Sequence, residues 1–131
     1  MKKHPGGQEG KTILIVEDNE LNLKLFVAVL QQNRFRVITA GDAETGIHLA
    51  REHQPDLILM DLQLPGMDGF QAAAIIKQDD SLKHIPVVAL SGFGEDEAEK
   101  DGRLTLFSGF IAKPISVRTF SSTLSGFLAD D

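Results

Sequence analysis

The chain has 131 residues, 42% hydrophobic and 24% charged, enough for one domain with a real core. It has no cysteine, which excludes disulfides, thiolate metal sites and a cysteine nucleophile, and fits a cytoplasmic protein. A net charge of −6 argues against direct nucleic-acid binding. No apolar stretch approaches the ~18–20 residues that cross a bilayer, so membrane insertion is not expected.

Residues 1–10, MKKHPGGQEG, have a basic start but no apolar core, so they read as a flexible tail rather than a signal peptide, with the domain over 11–131. A first strand is expected over Thr12–Val16, followed by a helix over Glu20–Asn33. A second strand spans Arg36–Thr39, and Asp42 is a good N-cap for a second helix that ends before Pro55. The third strand, Leu57–Asp61, is continuously apolar until its last residue, as a central strand covered on both faces should be. The loop Leu64-Pro65-Gly66-Met67-Asp68-Gly69 leads to a third helix over Phe70–Gln78. Val87–Leu90 is the fourth strand, Asp96–Thr105 the fourth helix and Gly109–Ala112 the fifth strand. Ser116 caps a last helix that runs nearly to the C-terminus and leaves no room for an output domain.

Short apolar runs alternating with helix-length segments predict a parallel sheet. Strand C-terminal ends share one edge of such a sheet, and ligands bind in the crevice outside them. The residues at those ends are Glu17, Asp18, Asp61, Ser91 and Lys113. Clustered carboxylates resist full ionisation unless a cation joins them. A hard divalent cation with oxygen ligands, together with a lysine, resolves that conflict. Each element alone has a plainer reading: an acidic pair in a solvated loop, a helix-capping Asp61, turns at Ser91-Gly92 and Lys113-Pro114. Their joint placement at successive strand ends favours a site.

The series ILIVED, DLILMDLQLPGMDG, VVALSG and GFIAKPI resembles the receiver domain of two-component response regulators, over about residues 11–128. EDNELN and KPIS are similar to single-domain cell-cycle regulators of the DivK type. The resemblance implies a flavodoxin-like α/β fold, a three-layer sandwich of five βα units with strand order 2-1-3-4-5. It implies a phosphorelay switch with slow autodephosphorylation rather than an enzyme. Its partners would be a histidine kinase or histidine phosphotransfer protein and an unknown downstream protein. Asp61 would be the phosphoacceptor, attacking a phosphohistidine to form an aspartyl phosphate. Mg²⁺ would be held by Asp18 and Asp61, by Glu17 through water and by the Gln63 carbonyl. Lys113 and Ser91 would bind phosphoryl oxygens, and the Lys113-Pro114 peptide would be cis. Phe110 would be the aromatic switch residue, turning inward as Ser91 moves toward the phosphoryl group; the alternative is a static core Phe.

Three further expectations concern surfaces. On a helical wheel Leu25, Phe26 and Val29 share a face with Asn22, leaving Leu21, Leu23, Val27 and Ala28 off it. The resemblance implies that a histidine-bearing helix docks at the start of the first helix and the loop after the fifth strand, which, with that surplus, makes Leu21, Asn22, Leu25 and Pro114 docking candidates, unless they pad the core. The resemblance implies that Gln63 and Phe93, the second residues after Asp61 and Ser91, flank the path of the hydrolytic water, which attacks in line. Leu106 stands where many receivers have Gly, so Arg103–Phe107 is either a reshaped turn or an exposed apolar patch.

Three rival readings fit the sequence less well. A phosphate-independent receiver-like interaction module would not need the whole pocket. A Mg²⁺-dependent phosphohydrolase usually needs a second Asp two residues after the nucleophile, where this chain has Gln63. A flavin carrier needs a phosphate-cradling first loop, whereas Glu17-Asp18-Asn19-Glu20 would repel phosphate.

Overall fold

A computed structural model describes residues 10–91, 106–113 and 116–128. Five parallel strands form one sheet: β1 (Thr12–Val16), β2 (Arg36–Ala40), β3 (Leu57–Asp61), β4 (Val87–Ser91) and β5 (Gly109–Ala112), in the order β2-β1-β3-β4-β5. The described helices are α1 (Glu20–Gln32), α2 (Ala43–His53), α3 (Gly69–Gln78) and α4 (Val117–Leu128). The flavodoxin-like three-layer arrangement is therefore present. The expected helix at Asp96–Thr105 and the tail over residues 1–9 lie outside the described residues. Gly10 donates its amide to the Arg34 carbonyl at 3.1 Å.

Strand side chains alternate across the sheet, so continuously apolar strands feed two cores. Leu14, Val16, Ile58, Met60, Val87 and Ala89 face one layer, where they pack with Ile47, Phe70 and Ile76 of α2 and α3. Ile13, Ile15, Leu57, Leu59, Val88 and Leu90 face the other, against Phe26 and Leu30 of α1 and Phe120 and Leu124 of α4. The Phe26 and Phe120 rings lie 5.6 Å apart and join the two helices of that layer. No helix among the described residues is long and apolar enough to cross a membrane.

Element ends shift where long-range contacts act. β2 continues to Ala40, whose carbonyl accepts the Glu17 amide at 3.0 Å, and β4 continues to Ser91 through pairing with Ala112. α1 ends one residue early, with Asn33 as its C-cap. α3 begins at Gly69 because Asp68 and Gln71 form a reciprocal capping box. Asp42 caps α2 as expected, accepting from the Thr45 amide at 2.8 Å.

One surface expectation is corrected, and one of two open alternatives is narrowed. α1 buries Phe26, Val29 and Leu30, whereas Leu25 is 41% exposed. Neighbouring residues point 100° apart, so Leu25 cannot share the centre of the face that Phe26 and Leu30 define four residues apart. Phe107 is buried, and Leu106 is half-buried against the α2–α3 core, so these two do not form an exposed patch.

Candidate functional site

Strand register assembles the polar end of the sheet. Val16 pairs with Met60, so Glu17 and Asp61 follow at the same level. Asp61 pairs with Leu90, and Ser91 pairs with Ala112, which precedes Lys113. Among the described residues, Glu17, Asp61 and Ser91 are the buried polar or charged ones, in a sheet otherwise lined with aliphatics. The Ser91 carbonyl accepts the Lys113 amide at 2.8 Å, carrying the ladder one step past β5.

Both Asp61 oxygens are engaged: Oδ1 accepts the Gln63 amide at 3.0 Å and Oδ2 accepts Lys113 Nζ at 2.9 Å. Glu17 Oε2 accepts the Asn19 amide at 3.1 Å. Glu17 Oε1 lies 3.4 Å from Lys113 Nζ, close enough to be an ion pair. The approach angles do not make it a hydrogen bond, so this buried oxygen has electrostatic attraction but no hydrogen-bond donor among the described residues. Burial pushes the Glu17 carboxyl above its ordinary value of 4.5, and the neighbouring Asp61 charge adds to this, against the Asn19 amide and Lys113. Burial alone would lower Lys113. The hydrogen bond to Asp61 and the charges of Asp61 and Glu17 together reverse that, so its ammonium is held above the ordinary 10.5.

Two residues without an assigned role shape the pocket. Asn19 caps α1, its Oδ1 accepting the Asn22 amide at 2.9 Å. Gly69, at the start of α3, lies against the backbone of Asp61 and Leu62 so closely that a Cβ would overlap both. Asn19 was visible as a polar residue opening a helix. Nothing local marks the Gly69 approach.

The acidic set suits a hard divalent cation. Glu17, Asp18 and Asp61 each offer an oxygen, all within 4.8 Å of one another, with Asp18 exposed and the other two buried. Glu17 Oε1 has no hydrogen-bond donor among the described residues and can serve as a metal ligand, and an all-carboxylate set matches Mg²⁺ rather than a softer metal. Glu17, Asp61, Ser91 and Lys113 are thus brought together, with Asp18 at the rim. Phe110 is half-buried on β5, its ring 5.4 Å edge-on from Phe107, which in turn meets Phe70 of α3 at 5.7 Å. Leu21, 76% exposed, and Leu25 lie on the outer side of α1, with Asn22 half-buried at its first turn. Gln63 is exposed beside Asp61, and Phe93 and Pro114 lie outside the described residues.

The response regulator receiver domain family matches residues 13–125. The chain belongs to that family. As a receiver domain it is a phosphorelay component of two-component signal transduction, not a metabolic enzyme. It is 42% identical over 123 residues to the polar-differentiation response regulator DivK of Brucella anthropi, covering 92% of this chain and 98% of that protein. The DivK of Brucella melitensis matches to the same extent. The receiver domain of the sensor histidine kinase PA1611 of Pseudomonas aeruginosa, with magnesium coordinated in its active-site cleft, superposes with a TM-score of 0.84 at 27% identity. That match covers 92% of this receiver and 99% of that chain. A response regulator from Desulfuromonas acetoxidans superposes with a TM-score of 0.79 at 28% identity, over 91% and 97% of the two chains.

Proposed function

We propose that this receiver takes a phosphoryl group from a phosphohistidine donor onto Asp61 in a Mg²⁺-dependent reaction, and thereby switches a protein-interaction surface. The observation that carries the reading is the buried Asp61 carboxylate held 2.9 Å from Lys113 Nζ, beside the open Glu17 oxygen. The donor's P–N bond breaks as an Asp61 oxygen bonds to phosphorus, and the imidazole nitrogen leaves with the electron pair. Bound among Glu17, Asp18, Asp61 and the Gln63 carbonyl, Mg²⁺ would neutralise charge on the phosphoryl oxygens. Lys113 supplies a second positive charge already in place, and Ser91 a hydroxyl for another phosphoryl oxygen. In such transfers catalysis is mostly positioning and charge stabilisation. The Mg²⁺ in the PA1611 receiver supports the metal assignment.

Three finer assignments belong to the same reading. Leu21, Asn22, Leu25 and Pro114 receive the histidine-bearing helix of a kinase or phosphotransfer protein. The exposed Leu21 and Leu25, one turn apart, provide an apolar stripe for it. Ser91 and Phe110 form the switch, Phe110 following Ser91 when it engages the phosphoryl group and presenting an altered surface to a downstream protein. Gln63 and Phe93 flank the water that ends the signal, with Phe93 crowding its approach.

Incubation with a small phosphodonor and Mg²⁺ tests the central claim by intact-mass spectrometry. One acid-stable, base-labile phosphoryl group is expected, and Asp61→Asn should remove it. Full labelling of Asp61→Asn would overturn the assignment.

A further inference from the structure

The Glu17 carboxylate is split between two environments, and the cause lies outside its own residue. Oε2 is satisfied by the Asn19 amide, two positions on, while Oε1, beside Lys113, has no hydrogen-bond donor among the described residues. A free carboxylate beside an ammonium would turn to give the lysine a direct hydrogen bond. Here the Asn19 amide holds one oxygen and thereby sets the plane of the group. That amide is itself fixed by α1. Asn19 has extended φ and ψ of −85° and 119°, its side chain accepts from Asn22 and its carbonyl accepts from Leu23 at 2.9 Å. At the other end of the loop, the Glu17 amide is tied to Ala40 at 3.0 Å. Asp18 therefore sits on a three-residue loop anchored to β2 on one side and to α1 on the other. α1 in turn is locked by Phe26 and Leu30 in the core beneath it.

We infer that Asn19 is a positioning residue for the cation: by capping α1 it aims its own amide at Glu17 Oε2 and leaves Oε1 open to the metal. The inference rests on the proposed Mg²⁺ site. Asn19 touches neither metal nor phosphoryl group and acts through Glu17 and the path of the loop that carries Asp18. The amide belongs to any residue at this position. The side-chain oxygen that orients it belongs only to capping residues. Loss of that oxygen frees the loop and lets Glu17 rotate onto Lys113, so the metal must reorganise both before binding.

Backbone amide NMR shifts during titration with Mg²⁺ alone, without phosphodonor, give the metal affinity directly. Asn19→Ala should weaken it by about tenfold, at the low end for a ligand-orienting partner because the amide itself survives. Asn19→Ser, which keeps a capping oxygen, should restore the wild-type value. Asp42→Ala removes the equivalent cap from α2, whose side-chain oxygen accepts from the Thr45 amide and from no residue of the acidic set, and should lower the unfolding temperature without changing Mg²⁺ affinity. Asn19→Gly keeps most of the helix stability but lacks the oxygen, so it should bind weakly even if Asn19→Ala folds poorly. Wild-type affinity in both Asn19→Ala and Asn19→Gly would overturn the inference, as would an equal loss in Asp42→Ala. If the wild-type protein itself fails to bind Mg²⁺, the metal reading falls, which is a different outcome from unchanged binding in the Asn19 variants.

Discussion

Lys113 donates to Asp61 Oδ2 at 2.9 Å, joining residues 52 positions apart in sequence. The same ammonium stands 3.4 Å from Glu17, so one cation serves two buried carboxylates. Removing it leaves like charges facing each other in a desolvated pocket, and leaves incoming phosphoryl oxygens without that positive charge. Lys113→Met should slow labelling by a small phosphodonor on the order of 10²-fold, the scale of a lost charge-stabilising donor. Time courses at saturating Mg²⁺ check this. An unchanged rate would make Lys113 a counter-ion of structural importance only.

The open Glu17 oxygen makes this site a stability cost in the metal-free protein. Glu17→Gln removes a buried charge whose proton affinity is raised by burial. The metal-free protein should gain about 1 kcal/mol. It should also lose most of the stabilisation that Mg²⁺ brings by binding the folded state. Urea unfolding with chelator and with excess Mg²⁺ reads both effects. A variant that is less stable than wild type in chelator would contradict the reading.

Gly69 is where α3 meets the phosphoacceptor strand. A methyl there would overlap the Asp61 carbonyl oxygen and the Leu62 Cα, and backbone atoms cannot swing aside as a side chain can. Helix propensity alone would make Gly69→Ala stabilising. The overlap should prevail, costing ~1–3 kcal/mol and displacing Asp61. Slower labelling with every titratable group intact would accompany the lost stability. A more stable protein with normal labelling would refute the argument.

Asp79 carries the pH dependence of a distant anchor. Its carboxylate accepts the Ser81 hydroxyl at 2.7 Å, the Arg51 guanidinium at 2.8 Å and the Ser81 amide at 2.8 Å, tying α2 to the turn after α3. These contacts, the Ser81 hydroxyl first, lower it from 3.8 to about 2. A carboxylate depressed on folding binds fewer protons folded than unfolded, so its contribution is present above the unfolded value and is lost as pH falls through about 2. Wild type should therefore exceed Asp79→Asn in urea midpoint at neutral pH, with the gap closing as pH falls from about 5 toward 2. A gap independent of pH would show that the loss is one of packing.

Much of the site was legible because strand runs carry their own end marks. Val16 gives way to Glu17, Met60 to Asp61 and Ala112 to Lys113, and a parallel sheet aligns such ends whatever the loops do. The α1 face was less legible: Leu25 and Leu30 are alike as residue types, and only contact with the sheet and with Phe120 picks one of them for burial. Leu106 and Phe107 looked equally suited to a surface patch, until Phe70 supplied a partner ring for Phe107.

The sequence by itself determined the strand runs and the polar residues that end them, and with these the convergence of Glu17, Asp61, Ser91 and Lys113, because hydrophobic period and strand-end chemistry are local properties that one parallel topology converts into neighbours; the strand order came with the resemblance to receivers. Tertiary structure decided how the carboxylates share their partners. That Lys113 hydrogen-bonds Asp61 but not Glu17, that Asn19 holds one Glu17 oxygen, and that Gly69 rests on the Asp61 backbone all depend on separations of a few tenths of an ångström between segments. Those separations are set by the packing of α1 and α3 on opposite faces of the sheet, which no local pattern encodes.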